Sequence, residues 1–188
     1  MRIKISEIFI TLILLSSLLY SKNVLIIGDS MAEAIKNPIS LILANNGIAT
    51  TTHFKRGTRV DFWLKNYEIF ANDLKNADFI IVTLGTNDLF SNKKTSRIVD
   101  ELEQLEKILT QNNLSKESIF YISTPLKSDM MIFEALKNRF GERVFDSKSL
   151  NLTMSKDNVH PMIASDILWS ALIVEKLSSY NNFLKAVK

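Results

Sequence analysis

A chain of 188 residues, 46% hydrophobic and 23% charged, is long enough to bury one sizeable core and shows neither a low-complexity tract nor an internal repeat. A net charge of +3 without a long Lys/Arg block gives no reason to expect a nucleic-acid partner. The lack of cysteine excludes disulfides, thiolate metal sites, a cysteine nucleophile and a lipid-modified cysteine.

At the N-terminus Arg2 and Lys4 precede an apolar run, Ile8 to Leu19, and Ser21 offers a small residue for cleavage. The run is shorter than the roughly 20 residues of a membrane span, and a strand follows almost at once. Residues 1–21 are expected to be a signal peptide and 22–188 the folded domain, exported to the periplasm or secreted. The alternative is an uncleaved anchor. Membrane contact is then either transient, during export, or confined to that segment.

From there apolar runs alternate with helical patterns. Strands are predicted at Val24–Ile27, Ala49–His53, Phe79–Leu84, Ile119–Ser123 and Val144–Asp146. Helices are predicted at Ala32–Asn45, Asp61–Leu74, Ser96–Gln111, Asp129–Arg139 and Ala164–Leu184. In the third helix Ile98, Leu102, Leu105 and Leu109 form an apolar stripe, with Glu101, Glu103, Glu106 and Lys107 largely outside it. The segment "ADFIIVTLG" is apolar on both faces, as a strand covered from two sides must be. Such alternation implies a parallel sheet between two helical layers, with sites beyond the carboxyl ends of the strands.

Four segments stand at or near those ends: Gly28-Asp29-Ser30, the "FKRGTR" stretch around Gly57, Gly85-Thr86-Asn87-Asp88, and Asp157 to Pro161, "DNVHP", before the last helix. Each alone has an ordinary explanation. Ser30 could be a helix N-cap, and Asn87 and Asp88 could be turn residues. Together, in this order, they resemble the SGNH, or GDSL-type, hydrolases over essentially the whole chain after the leader.

The resemblance implies a three-layer α/β/α sandwich on a five-stranded, parallel, flavodoxin-like sheet. It also implies roles: Ser30 as nucleophile, Gly57 (backbone N–H) and Asn87 (side chain) as oxyanion donors, Asp157 and His160 as orienter and base. Two positions depart from the family pattern, Met31 in place of leucine and Asn158 in place of glycine.

The chemistry is coherent by itself. A serine hydroxyl is a poor nucleophile until an imidazole takes its proton, and that imidazole needs a partner on its other nitrogen. Asp157 can reach His160 only if the intervening segment curls. Asp88 is read as structural. His53 is the rival base, but only Lys55 and Arg56 are close to it in sequence, and it reads as a packing or rim residue. Lys55, Arg56, Arg59, Lys93, Lys94 and Lys127 fall in loops at the same edge. Ordinary solvated charge is the favoured reading of them, an anionic substrate the sharper one. With neither metal-ligand spacing nor a phosphate-binding glycine pattern, no metal or cofactor is expected.

These observations predict a serine esterase acting on a small-molecule or glycan ester, with an O-acetyl group on a cell-envelope glycan preferred. The alternatives are a lipase- or thioesterase-type acyl hydrolase and a catalytically silent ligand- or glycan-binding relative.

Overall fold

Successive residues of the central strands are buried in alternating directions, and this sets the layering. The computed structural model describes residues 22–112, 114–126, 130–180 and 183. β1 (Asn23–Gly28), β2 (Ala49–Phe54), β3 (Phe79–Thr83), β4 (Ile119–Ile122) and β5 (Val144–Phe145) form one sheet in the order β2-β1-β3-β4-β5. All four pairings are parallel. Leu25, Ile27, Ile80, Val82, Ile119 and Tyr121 enter one core, while Val24, Ile26, Phe79, Ile81, Phe120 and Ile122 enter the other.

The helices are α1 (Ser30–Ala44), α2 (Val60–Lys65), α3 (Ala71–Leu74), α4 (Thr86–Phe90), α5 (Thr95–Leu109), α6 (Met130–Phe140) and α7 (Ile163–Ser179). α1 and α7 pack side by side over one face, and α2, α3, α5 and α6 cover the other. The result is the expected three-layer, flavodoxin-like α/β/α sandwich. Its sheet order reverses between β1 and β3, where such folds open a crevice. Gly28 closes β1 at that point. A Cβ there would lie 2.4 Å from Thr83 O and 2.7 Å from Ala32 Cβ, so only glycine lets β1, β3 and α1 approach this closely.

Four expectations are corrected. The helix predicted over 61–74 is α2, a 3-10 turn at Tyr67–Ile69 and α3. Asn66 ends α2: its side-chain amide donates to Phe62 O at 2.7 Å and its backbone leaves the helical region. Breaking there turns both Trp63 and Phe70 inward, with ring centroids 6.1 Å apart. The Gly85–Phe90 stretch holds a short helix, α4, rather than a turn alone.

Glu101 and Glu106 are buried, not on the solvated side of α5. Glu106 accepts from Tyr121 Oη at 2.9 Å and from Arg143 Nη1 at 2.6 Å. The last helix stops at Ser179 instead of reaching Leu184. Tyr180 is extended and sends Phe183 into the core against Phe79, centroids 4.6 Å apart.

The expected leader (1–21), Lys127, Asp129 and Leu184 lie outside the described residues. Among the described residues no helix is long and apolar enough to cross a membrane.

Candidate active site

The residue that caps α1 is Asp29, not Ser30. Asp29 Oδ1 accepts from Met31 N at 2.9 Å, satisfying a backbone donor of the first turn. Ser30 is thereby the first helical residue, and its hydroxyl is released from capping. Ser30 Oγ lies 2.7 Å from His160 Nε2, 130 positions along the chain.

The loop carrying His160 curls as the Asp-x-x-His spacing requires. Asp157 Oδ1 accepts from Ser155 Oγ (2.6 Å), Val159 N (2.9 Å) and His160 N (3.0 Å), and Oδ2 meets His160 Nδ1 at 2.7 Å. Asn158 sits at φ +55°, a left-handed conformation that glycine takes freely and that asparagine tolerates better than most side chains. Asparagine is thus a workable substitute for the family's glycine at this position. A bridge between Met154 and Pro161, with Ser155 N donating to His160 O at 2.7 Å, pins the base of the curl.

Hydrogen bonds from Ser155 and from His160 hold the Asp157 carboxyl well below the usual carboxylate range, so it stays anionic beside the imidazole. An anion on Nδ1 favours the tautomer with Nδ1–H. Nε2 is then the acceptor facing the Ser30 hydroxyl.

Ser30, Gly57, Asn87, Asp157 and His160 line one cleft of about 1120 Å³. The backbone N–H groups of Ser30 and Gly57 have no partner among the described residues. Gly57 holds φ +73° in the Lys55–Thr58 turn. Asn87, on α4, donates from Nδ2 to Asp29 Oδ2 at 2.7 Å and to Thr58 O at 3.0 Å. Its amide therefore reaches an oxyanion only by sharing one of those bonds.

Two carboxyls that the sequence reading passed over belong to this region. Asp29 is fully buried, and burial pushes its carboxyl up to about 6. Asp166, at the start of α7 and in the cleft wall, is likewise pushed up to about 6 by burial. Its Oδ1 is buried with no partner among the described residues. The capping position before a helix could have flagged Asp29. Asp166 carries no sequence signal.

No family model and no curated protein sequence matches this chain. Solved structures do. The psychrotrophic esterase EstA from Pseudoalteromonas sp. superposes with a TM-score of 0.70 at 14% identity, covering 86% of this chain and 100% of its own. The SGNH hydrolase fold is therefore the fold of this chain. TesA shares it with a TM-score of 0.66 at 14% identity, over 84% of this chain and 99% of its own. A carbohydrate esterase family 3 protein from Talaromyces cellulolyticus shares it at 0.61 and 18% identity, over 89% and 100%.

Outside the cleft, His53 has a partner that its sequence neighbours did not suggest. Its Nε2 lies 2.7 Å from Asp73 Oδ2 of α3, and neither residue lines the cleft. Of the six cations expected at this sheet edge, Lys55, Arg56, Arg59 and Lys93 are engaged. Arg56 forms a two-point pair with Glu33, Arg59 lies 3.4 Å from Asp61, and Lys55 sits over the Phe62 ring.

Lys93, nearly buried, lies 2.5 Å from Asp88 and 2.6 Å from Glu101. Asp61, Asp88 and Glu101 have the mutual spacing of a small cation site, and the Lys93 ammonium supplies the positive charge there. With four of the six edge cations so engaged, the case for an anionic substrate is weakened.

Proposed function

We propose that this chain is a carboxylic ester hydrolase working through a serine acyl-enzyme. The observation that carries the proposal is the hydrogen-bonded line from Ser30 Oγ to His160 Nε2 and from His160 Nδ1 to Asp157, each step 2.7 Å. As Ser30 Oγ attacks the ester carbonyl, Nε2 takes its proton. When the tetrahedral intermediate collapses, the bond to the alcohol oxygen breaks and Nε2 returns the proton to that oxygen. Water repeats the sequence, with Ser30 Oγ now the leaving group.

The developing oxyanion would be met by the N–H groups of Ser30 and Gly57, with the Asn87 amide as a third donor. Each such donor is worth roughly 3–4 kcal/mol in the transition state. The esterase EstA and the carbohydrate esterase that share the fold support the reaction class.

Fluorophosphonate labelling tests the proposal directly. The wild type is expected to be labelled at Ser30 and Ser30→Ala not at all, with ester turnover falling by several orders of magnitude. Unlabelled wild type, or a Ser30→Ala variant with most of its activity, would refute it and favour a silent ligand-binding relative.

Of the substrates expected from sequence, an O-acetylated envelope glycan rests on the leader of residues 1–21 and on family habit. Export of the enzyme rests on that leader alone. A hydrolase of longer acyl esters is the second reading, and the lining of the cleft favours it.

A further inference from the structure

The face that α7 turns to the cleft carries Ile163, Asp166 and Ile167, so a carboxyl stands between two isoleucines. Asp166 Oδ1 is buried, and no donor or cation among the described residues reaches it. A buried carboxylate oxygen without a partner is costly, and a donor on a ligand would satisfy it.

The other charged or titratable groups of the cleft are Glu33 and Lys36 of α1, Arg56 after β2, and Asp157 and His160. Glu33 is taken by Arg56 and Asp157 by His160, while Lys36 lies over the Phe54 ring. With Asp166 ionised, carboxylates outnumber cations there, and Asp29 beside Ser30 adds another. The chain as a whole is basic, with a net charge of +3. A cleft of opposite sign to its protein gathers cations. No aromatic side chain lines it among the described residues, so a quaternary ammonium finds no ring to sit on. An N–H would instead meet Asp166 Oδ1 in a charge-assisted hydrogen bond.

Position decides which side of the ester carries that group. His160 Nε2 must hand its proton to the alcohol oxygen, so the alcohol leaves past the imidazole. Asp166 follows six positions after His160, in the first turn of α7. We propose that Asp166 binds a protonated amine on the alcohol portion of the substrate, with Ile163 and Ile167 against its alkyl substituents. The proposal rests on the ester-hydrolase reading, goes beyond it by naming the alcohol, and leaves the acyl group open.

Three acetates of similar shape test it on the full domain. They are 2-(dimethylamino)ethyl acetate, protonated at neutral pH; its uncharged isostere 3-methylbutyl acetate; and acetylcholine, charged but without an N–H. In the wild type kcat/KM should be highest for the first and lowest for the isostere, with about tenfold or more between them. An ammonium also makes the alcohol a better leaving group, so the deciding number is how far Asp166→Asn lowers that ratio.

The drop should be about fivefold or more. Asp100→Asn, the same change of charge on exposed α5 of the opposite helical layer, should leave the ratio alone. In the wild type the ratio should also fall as pH drops through about 6, where Asp166 takes up its proton, and in Asp166→Asn it should not. The His160 limb is common to both esters and cancels. A ratio unchanged in Asp166→Asn overturns the inference, and so does acetylcholine turned over as fast as the dimethylammonium ester. With Ser30 labelled, either result leaves the hydrolase standing. Failure to turn over any ester, with Ser30 unlabelled, removes the reading underneath and the inference with it.

Discussion

Asn87 Nδ2 and Asp29 Oδ2 are 2.7 Å apart, so the carboxylate that precedes Ser30 holds the side chain proposed as an oxyanion donor. Asp29→Asn would set an amide against an amide at that contact while keeping an oxygen for the Met31 N–H. The expected result is a drop of about tenfold in kcat with little change in KM, because only the alignment of Asn87 suffers. Asn87→Ala should be worse, about 10²–10³ in kcat. A change confined to KM in either variant would make Asn87 a substrate-binding residue instead.

Asp29 also predicts a pH dependence of stability. Burial raises its carboxyl from 3.8 to about 6, so the folded state binds this proton more tightly than the unfolded chain does. Stability therefore falls as pH rises from about 4 to about 6 and levels off above. The ionised carboxylate costs on the order of 3 kcal/mol at neutral pH. Asp166 is raised to about the same value and acts in the same direction. Denaturation midpoints measured between pH 4 and 7 should show this slope, and Asp29→Asn should flatten it in part. An unchanged slope would mean that Asp29 is better solvated than its burial implies.

The two histidines should separate cleanly. His160→Ala is expected to remove nearly all kcat together with the acid limb of the pH–rate profile, since a base must be neutral to accept the Ser30 proton. His53→Ala, on the outer strand β2, breaks the pair with Asp73 of α3, which is partly exposed. It should keep the acid limb and cost at most about 1 kcal/mol of stability. An inactive His53→Ala beside an active His160→Ala would overturn the assignment of the base.

Lys93 should matter for folding and not for chemistry. Lys93→Met leaves the buried Asp88 carboxylate without its cation and Glu101 with Arg97 alone. Removing one partner of such a cluster costs about 3–5 kcal/mol. Urea denaturation at pH 7 should show a loss of that order, shrinking as pH drops and Asp88, whose carboxyl is raised by burial, takes up a proton. A loss under about 1 kcal/mol would mean the cluster is hydrated.

The three central strands were legible because a strand covered on both faces must be a short apolar run, and Val24–Ile27, Phe79–Val82 and Ile119–Ile122 are such runs. The five proposed site residues were legible through motif order, and they share one cleft. The break at Asn66 was not visible, because apolar periodicity continues across 61–74. Only packing shows Trp63 and Phe70 both turning inward. Glu101 and Glu106 read as lying outside the apolar stripe, and a charged residue there looks the same in sequence whether water or a nearby Lys93, Arg143 or Tyr121 answers it.

The sequence by itself determined the fold class, the sheet edge at which chemistry can occur, and the residue types there. Those properties follow from local periodicity and from the rule that strand ends open onto a crevice. Tertiary structure alone decided which side chains meet. It brought His160 across 130 positions to Ser30, gave the α1 cap to Asp29, paired His53 with Asp73, and matched Arg56, Arg59 and Lys93 with carboxylates and Lys55 with a ring. It also laid α7 beside α1, so that Leu41 and Ile167 line the same cleft as Ser30. Such contacts depend on helix orientation and loop curl, which are set by the sum of packing over the whole core and by no single stretch of chain.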